Sequence, residues 1–317
     1  MSPISRKRLG SSDLDISQLS VGSWHTYDRM DFADTVALLR AAVDAGINLF
    51  DVGVYGFPGM PAVFTDVIWG AAIRAAGVPR EDYLVSAKLW LEGFGPDGFR
   101  PQLENALLRG GFGIADLVIL GDIRRDDIVL EDLVADLARL KSAGLIRAWG
   151  VNNWSATNIR KLQQIAAETG VDGPDIAQLK YSVARRAIPD GEPFGALFAD
   201  GFAMQASDVL EGGLLVGSAS GREVGRDPGG VQAKIKERAA EFAALAEQVG
   251  TSPARLAVAF TLTHPANITT LFGATKMSQL EDNLAAVELV ERIGAAELRA
   301  LVEPFWADQG IVDPEGP

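Results

Sequence analysis

Short apolar runs recur along the chain with helical patterns set between them. The runs are LSVG (19–22), NLFDV (48–52), YLVSAK (83–88), DLVIL (116–120), AWGV (148–151), IAQLK (176–180), FAMQ (202–205) and TTLFG (269–273), eight in all. Among the intervening segments, DFADTVALLRAAVDAG predicts an amphipathic helix with Phe32, Val36, Leu39 and Val43 on one face and Gly46 closing its C-terminus. LEDLVADLARLKSAG predicts a second helix that stops on the same Ala-Gly step. Continuous apolar strands alternating with such helices are buried on both faces and therefore parallel. Eight of these units in 317 residues predict an α/β fold, a closed (β/α)8 TIM barrel.

The opening RKRLGSSDLDISQL breaks the pattern. Its Gly-Ser-Ser turn between short runs predicts a β-hairpin ahead of the first barrel strand, placed to cap the barrel floor. The Gly-rich GSASGREVGRDPGG (217–230) follows the seventh strand and reads as a loop. No composition shift marks a boundary, so residues 1–317 read as one domain. The alternative, a doubly wound open sheet, lacks an early Gly-rich fingerprint.

Composition narrows the chemistry. The chain is 48% hydrophobic, has no cysteine and has two histidines, His25 and His264. Thiolate metal sites and cysteine nucleophiles are excluded, and no metal site is expected. A formal charge of −13 without a long basic cluster disfavours nucleic acid and anionic membrane as partners and favours a small-molecule substrate. No 18-residue apolar run or signal-like segment is present, so a soluble, cytoplasmic protein is expected.

In a barrel of this kind the chemistry lies at the C-terminal strand ends. Those ends carry Ser23-Trp24-His25, Asp51 with Tyr55, Lys88 with Trp90, Gly121-Asp122, Asn152-Asn153, Gln178 with Tyr181, Ser207, and the GATK run after the eighth strand. A tyrosine hydroxyl titrates near 10 and becomes a proton donor useful near neutrality beside a cation such as lysine. An aspartate can anchor that lysine. The plainer reading is a structural Asp51–Lys88 ion pair with Tyr55 as a rim aromatic, and Ser278 capping an ordinary helix in SQLEDNL.

The segments NLFDVGVYG (48–56), LVSAKLW (84–90), GLIRAWGVNNWS (144–155), AQLKYSVARR (177–186) and FGATKMSQLEDNLAAVE (272–288) together resemble the aldo-keto reductase superfamily, in the style of its potassium-channel β-subunit-like branch. The resemblance implies an NADPH-dependent oxidoreductase with Tyr55 as general acid and with Lys88 and Asp51 lowering its pKa. It implies that Asn152, Asn153 and Gln178 hold the nicotinamide carboxamide, and that Ser23, Trp24, Ser207 and Leu210 lie along the cofactor. Thr275 and Lys276 would receive the 2′-phosphate, with Gly273 and Ala274 in the same cofactor-binding run, and Gln279, Asp282 and Asn283 would grip the ribose and adenine.

Three features depart from the family pattern. Gly121 stands where the family usually has a histidine that orients the substrate carbonyl, and a glycine there removes a donor and is expected to make room for a bulky or aromatic substrate. Three residues separate Asp51 from Tyr55 where the family usually has four. Ala206 or Ser207 takes the place of a stacking aromatic. His25 or Asp122 could replace the lost histidine, while His264 reads as structural. Loops 90–101 and 181–200, with Trp90, Phe94, Phe99, Tyr181 and Phe194, are expected to overhang the mouth. The function expected is reduction of a carbonyl, imine or conjugated substrate, of the kind a specialised biosynthetic pathway handles. The alternative is a non-redox user of the pocket, either a cofactor-binding regulatory protein or a lyase or isomerase.

Overall fold

A computed structural model describes residues 4–55, 61–217 and 227–317. Most of the Gly-rich 217–230 segment, and Gly56 at the end of the NLFDVGVYG motif, lie outside them. Among the described residues the strands are β1 (Arg6–Arg8), β2 (Asp15–Ser17), β3 (Leu19–Gly22), β4 (Leu49–Val52), β5 (Val54–Tyr55), β6 (Val63–Phe64), β7 (Leu84–Leu89), β8 (Ala115–Leu120), β9 (Ile146–Asn152), β10 (Ile176–Lys180), β11 (Ala203–Ser207) and β12 (Asn267–Phe272). Eight of them close a parallel barrel in the order β3-β4-β7-β8-β9-β10-β11-β12, with β12 pairing back onto β3. Each of the eight expected runs coincides with one barrel strand to within two residues at either end.

The hairpin β1–β2 is antiparallel and its Leu9, Leu14 and Ile16 plug the floor. They pack on the inward Leu49, Leu117, Ile119, Ala148, Ile176 and Ala203 of the barrel. Gly10 at the hairpin turn has φ +50, and a Cβ there would lie 2.6 Å from the Asp175 carboxylate. A side chain would therefore suffer both backbone strain and a clash. At the rim of the floor Asp116 accepts hydrogen bonds from Arg80 (2.7 Å), Arg147 (2.9 Å) and the Val85 amide (2.8 Å), and Arg147 reaches on to Asp13 of the hairpin (2.8 Å).

The helix Phe32–Asp44 forms as expected, but its buried face is Thr35, Leu38, Leu39 and Ala42. Phe32 is half exposed because it lies at the first helical position, ahead of the turn that meets the barrel. Gly46, with φ +100, follows the C-cap Ala45 and lets the Ile47 amide bond back to the Ala42 carbonyl. The helix Leu130–Ser142 ends in the same way on Ala143 and Gly144. No helix of the described residues is long and apolar enough to cross a membrane.

Candidate active site

Strand ends converge on one cavity of about 360 Å³ at the C-terminal mouth. Its lining includes Trp24, Asp51, Tyr55, Lys88, Asn152, Asn153, Gln178, Ser207, Leu210, Gly273, Thr275 and Gln279. Ser23 is fully buried behind this lining, where it accepts a hydrogen bond from Thr65 (2.7 Å). Ala274 is buried, and Lys276, Asp282 and Asn283 lie outside the lining, at the start of and within the helix Met277–Leu284.

The centre is a buried polar network. The Tyr55 hydroxyl donates to Asp51 Oδ1 at 3.2 Å. The Gln178 amide donates to Asp51 Oδ2 (3.0 Å) and to Gln205 Oε1 (2.8 Å), and accepts from Lys88 Nζ at 2.5 Å. Lys88 Nζ lies 3.8 Å from Asp51 Oδ2, and Ser86 donates to the same carboxylate oxygen at 3.5 Å. Four barrel strands thus meet across the lumen. Polar groups buried so deeply are generally hydrogen-bonded, and here they satisfy one another.

The electrostatics correct one expectation. Tyr55 is pushed well above its ordinary pKa, chiefly by burial and then by the Asp51 charge, with a hydrogen bond from Ser23 working the other way. Asp51 raises it, where a lowering was expected. The Lys88 ammonium is turned to Gln178, and its own pKa is lowered by burial against the opposing pull of Asp51, Asp122 and Asp208. The tyrosine is therefore kept as the neutral phenol. Despite the short Asp51–Tyr55 spacing, its hydroxyl meets Asp51, and its ring stacks on Trp24 (centroids 5.6 Å, 14° between planes).

At the next strand ends, Asp122 Oδ1 accepts from Asn152 Nδ2 (2.5 Å) and Asn153 Nδ2 (3.3 Å). Asp122 therefore orients both amides, a role that Asn-Asn in the sequence did not disclose. His25 lines the cavity with φ +55, stacked on Trp24 and bonded through Nδ1 to Arg29 (2.9 Å). His264 is buried among Tyr181 and Phe198 and has its pKa lowered by burial, in keeping with a structural role. Ser207 is the residue of its pair that meets the cavity, while Ala206 packs in the core outside the strands.

Two expectations about the rim fail. The space over Gly121 is filled: a Cβ there would lie 2.5 Å from Cε3 of the Trp90 indole. Of the aromatics expected to overhang the mouth, only Trp90 lines the cavity. Phe99, Tyr181 and Phe194 are fully buried and Phe94 packs on Phe99, because loops of that apolar content fold onto the helices rather than over water. Ser278 does not cap its helix, which begins at Met277. Instead Gln279 Oε1 accepts from the Thr275 amide (2.8 Å). Asp282 pairs with Arg255 (2.9 Å) and accepts from Ser252. The signal for that last contact was absent from the sequence, since 27 residues separate Arg255 from Asp282.

A parallel barrel whose mouth gathers a tyrosine, an aspartate, a lysine and three carboxamides defines a class of nicotinamide-dependent oxidoreductases. The chain belongs to the aldo/keto reductase family, whose model matches residues 18–301. It is 27% identical over 303 residues to the rice (Oryza sativa subsp. japonica) protein named "Probable voltage-gated potassium channel subunit beta", covering 90% of this chain and 91% of that one. It is 25% identical over 310 residues to the protein of the same name from Arabidopsis thaliana, covering 90% and 91%. It is 27% identical over 321 residues to the "NADH-specific methylglyoxal reductase" of Escherichia coli, covering 89% and 93%.

The residues present fit a nicotinamide cofactor. The mouth offers the side-chain amides of Asn152, Asn153 and Gln178, with Gln279 at its rim, and a glycine, Gly273, whose Cβ would press on Thr26 Oγ1 at 3.1 Å. Asn283 Oδ1 is buried without a hydrogen-bond partner, behind the lining of the cavity.

Proposed function

We propose that the protein reduces a carbonyl, imine or conjugated small molecule with NADPH. The observation that carries this reading is the junction of Tyr55, Asp51 and Lys88 with the amides of Asn152, Asn153 and Gln178 in one cavity. When bound, the nicotinamide supplies a hydride to the substrate carbon. Tyr55, whose hydroxyl heads the polar network at the mouth, supplies the proton to the oxygen or nitrogen. Asn152 and Asn153, with their nitrogens held by Asp122, hold the carboxamide. Thr275 and Lys276 meet the 2′-phosphate, where a cation and a hydroxyl favour NADPH over NADH.

Room for the rest of the substrate lies to one side of the mouth. A cavity of about 500 Å³ shares Asp122, Asn153 and Lys180 with the first and is walled by Leu179, Ile188 and Val312. Its apolar walls suit a ring-bearing substrate. Hydride delivery to such a substrate does not depend on a bulky opening at Gly121.

Calorimetric titration with NADPH and NADH tests the cofactor. NADPH should bind more tightly, and Lys276→Ala should weaken NADPH roughly 10-fold or more, as expected for one charge-assisted bond, with little effect on NADH. Equal affinities would overturn the preference, and no binding of either would overturn the redox reading. A second reading, a regulatory protein that holds the cofactor without turnover, is favoured by the engagement of Lys88 with Gln178 instead of Tyr55. Bound NADPH that no aldehyde or imine consumes would support it.

A further inference from the structure

Gly121 and Trp90 occupy one another's space, and the pair touches Tyr55. A Cβ on Gly121 would approach Trp90 Cε3 to 2.5 Å and Cζ3 to 3.0 Å, against an optimal carbon–carbon separation of about 3.5–4.0 Å. The indole is fixed from three sides. Its Nε1 donates to the Val54 carbonyl at 2.9 Å, next in the chain to Tyr55. Gln102 brackets the Trp90 backbone, accepting from its amide (2.6 Å) and donating to its carbonyl (3.1 Å). The third side is the bare backbone of Gly121.

So seated, the indole presents itself edge-to-face to Tyr55, with centroids 6.1 Å apart and planes at 77°. Trp24 covers the tyrosine face at 5.6 Å, and Gly53 leaves its ring lying 3.4 Å from where a Cβ would be. The ring is thereby held between two tryptophans over a glycine. The backbone of Val54 and Tyr55 is paired with Val63 and Phe64, and the bond from Trp90 to the Val54 carbonyl ties the indole to the same two-residue strand.

We propose that Trp90 is a positioning residue for Tyr55 and that Gly121 is the socket that seats it, so that the glycine serves the proton donor and not substrate bulk. The proposal rests on the reading of Tyr55 as the acid, yet its geometric content stands apart from turnover. On its far side Trp90 borders a cavity of about 410 Å³ lined also by Phe64, Gln102 and Arg109. A displaced indole has somewhere to go. A small side chain at 121 should therefore shift the ring without unfolding the barrel.

The test uses the full chain labelled with 3-fluorotyrosine, whose four tyrosine resonances are assigned for Tyr55 by comparison with Tyr55→Phe. Gly121→Ala and Trp90→Ala should each move the Tyr55 resonance and make it titrate at lower pH, since the ring loses its burial beside Asp51. In the Trp90→Ala background, Gly121→Ala should add no further shift because the socket is empty. Trp90→Val takes the place of Trp90→Ala in the same comparison if the latter does not fold. An unmoved resonance in Gly121→Ala, or an equal shift from it with and without the indole, overturns the proposal. NADPH affinity should be unchanged in Gly121→Ala, with aldehyde turnover lowered about 10-fold or more. Failure of the redox reading would show as absent cofactor binding in the parent chain, which leaves the resonance outcome intact and readable.

Discussion

The mouth and the floor of this barrel are built from the same strands two residues apart. On β4 the inward position changes from Leu49 to Asp51, on β10 from Ile176 to Gln178, and on β11 from Ala203 to Gln205. At about 3.3 Å per residue this is a step of roughly 7 Å. Below it the lumen is an apolar plug against the hairpin; above it lies a connected set of carboxylate, amide, ammonium and phenol. The difference separates stability from chemistry. The floor uses charge only at its outer rim, where Asp116 ties two arginines and a backbone amide, whereas the mouth buries its charge at the centre.

The sharpest test removes the floor's charged tie. Asp116→Ala should cost about 3 kcal/mol, because the buried Val85 amide loses its acceptor and the partly exposed Arg80 and Arg147 lose charge-assisted bonds. Denaturant unfolding reads the loss, and cofactor affinity of the folded protein should not change. A shift in cofactor affinity would show that the two ends are coupled.

Lys88→Met should do the opposite. Turnover should fall on the order of 10²- to 10³-fold, roughly 3–4 kcal/mol of barrier, under the redox reading. Stability should fall by less than half the Asp116→Ala loss, because Asp51 keeps hydrogen bonds from Tyr55, Gln178 and Ser86. A variant that unfolds would make Lys88 a structural ion and leave the plainer reading standing.

The smallest effect depends on pH. Asp175, beneath the hairpin turn, is pushed up to about 6 by burial, with Lys141 opposing and Asp172 adding to the rise. A carboxyl raised in the folded state favours its protonated form. The cost to folding is absent below the unfolded pKa of 3.8, grows between there and about 6, and is full above it. Asp175→Asn should therefore stabilise the protein by at most roughly 3 kcal/mol at pH 8 and by nothing at pH 4. Thermal melts at the two pH values check the sign, and a gain at pH 4 would refute it.

The eight strands were legible from the sequence because a parallel barrel strand buried on both faces is an uninterrupted apolar run, and glycine after a helix marks its end. The hairpin was legible from its turn. Which helix face packs was less so: in Phe32–Asp44 the periodicity offered Phe32 and Val43, and the barrel took Leu38 and Ala42, since the angle of docking is a property of the neighbours. The candidate site was legible as a set of residue types at strand ends, and the cavity does gather Asp51, Tyr55, Lys88, Asn152, Asn153 and Gln178.

What the sequence by itself determined is the order and class of the elements and the ends at which chemistry is placed, for both follow from local pattern. Only the tertiary structure decided which partner each polar group takes. Lys88 turns to Gln178, 90 positions away, a contact with no signal along the chain. Gly121 is filled by Trp90, whose indole arrives from the preceding strand of the barrel. Hydrogen bonds and steric contacts across a lumen depend on register and shape between distant segments, and those are fixed when the barrel closes.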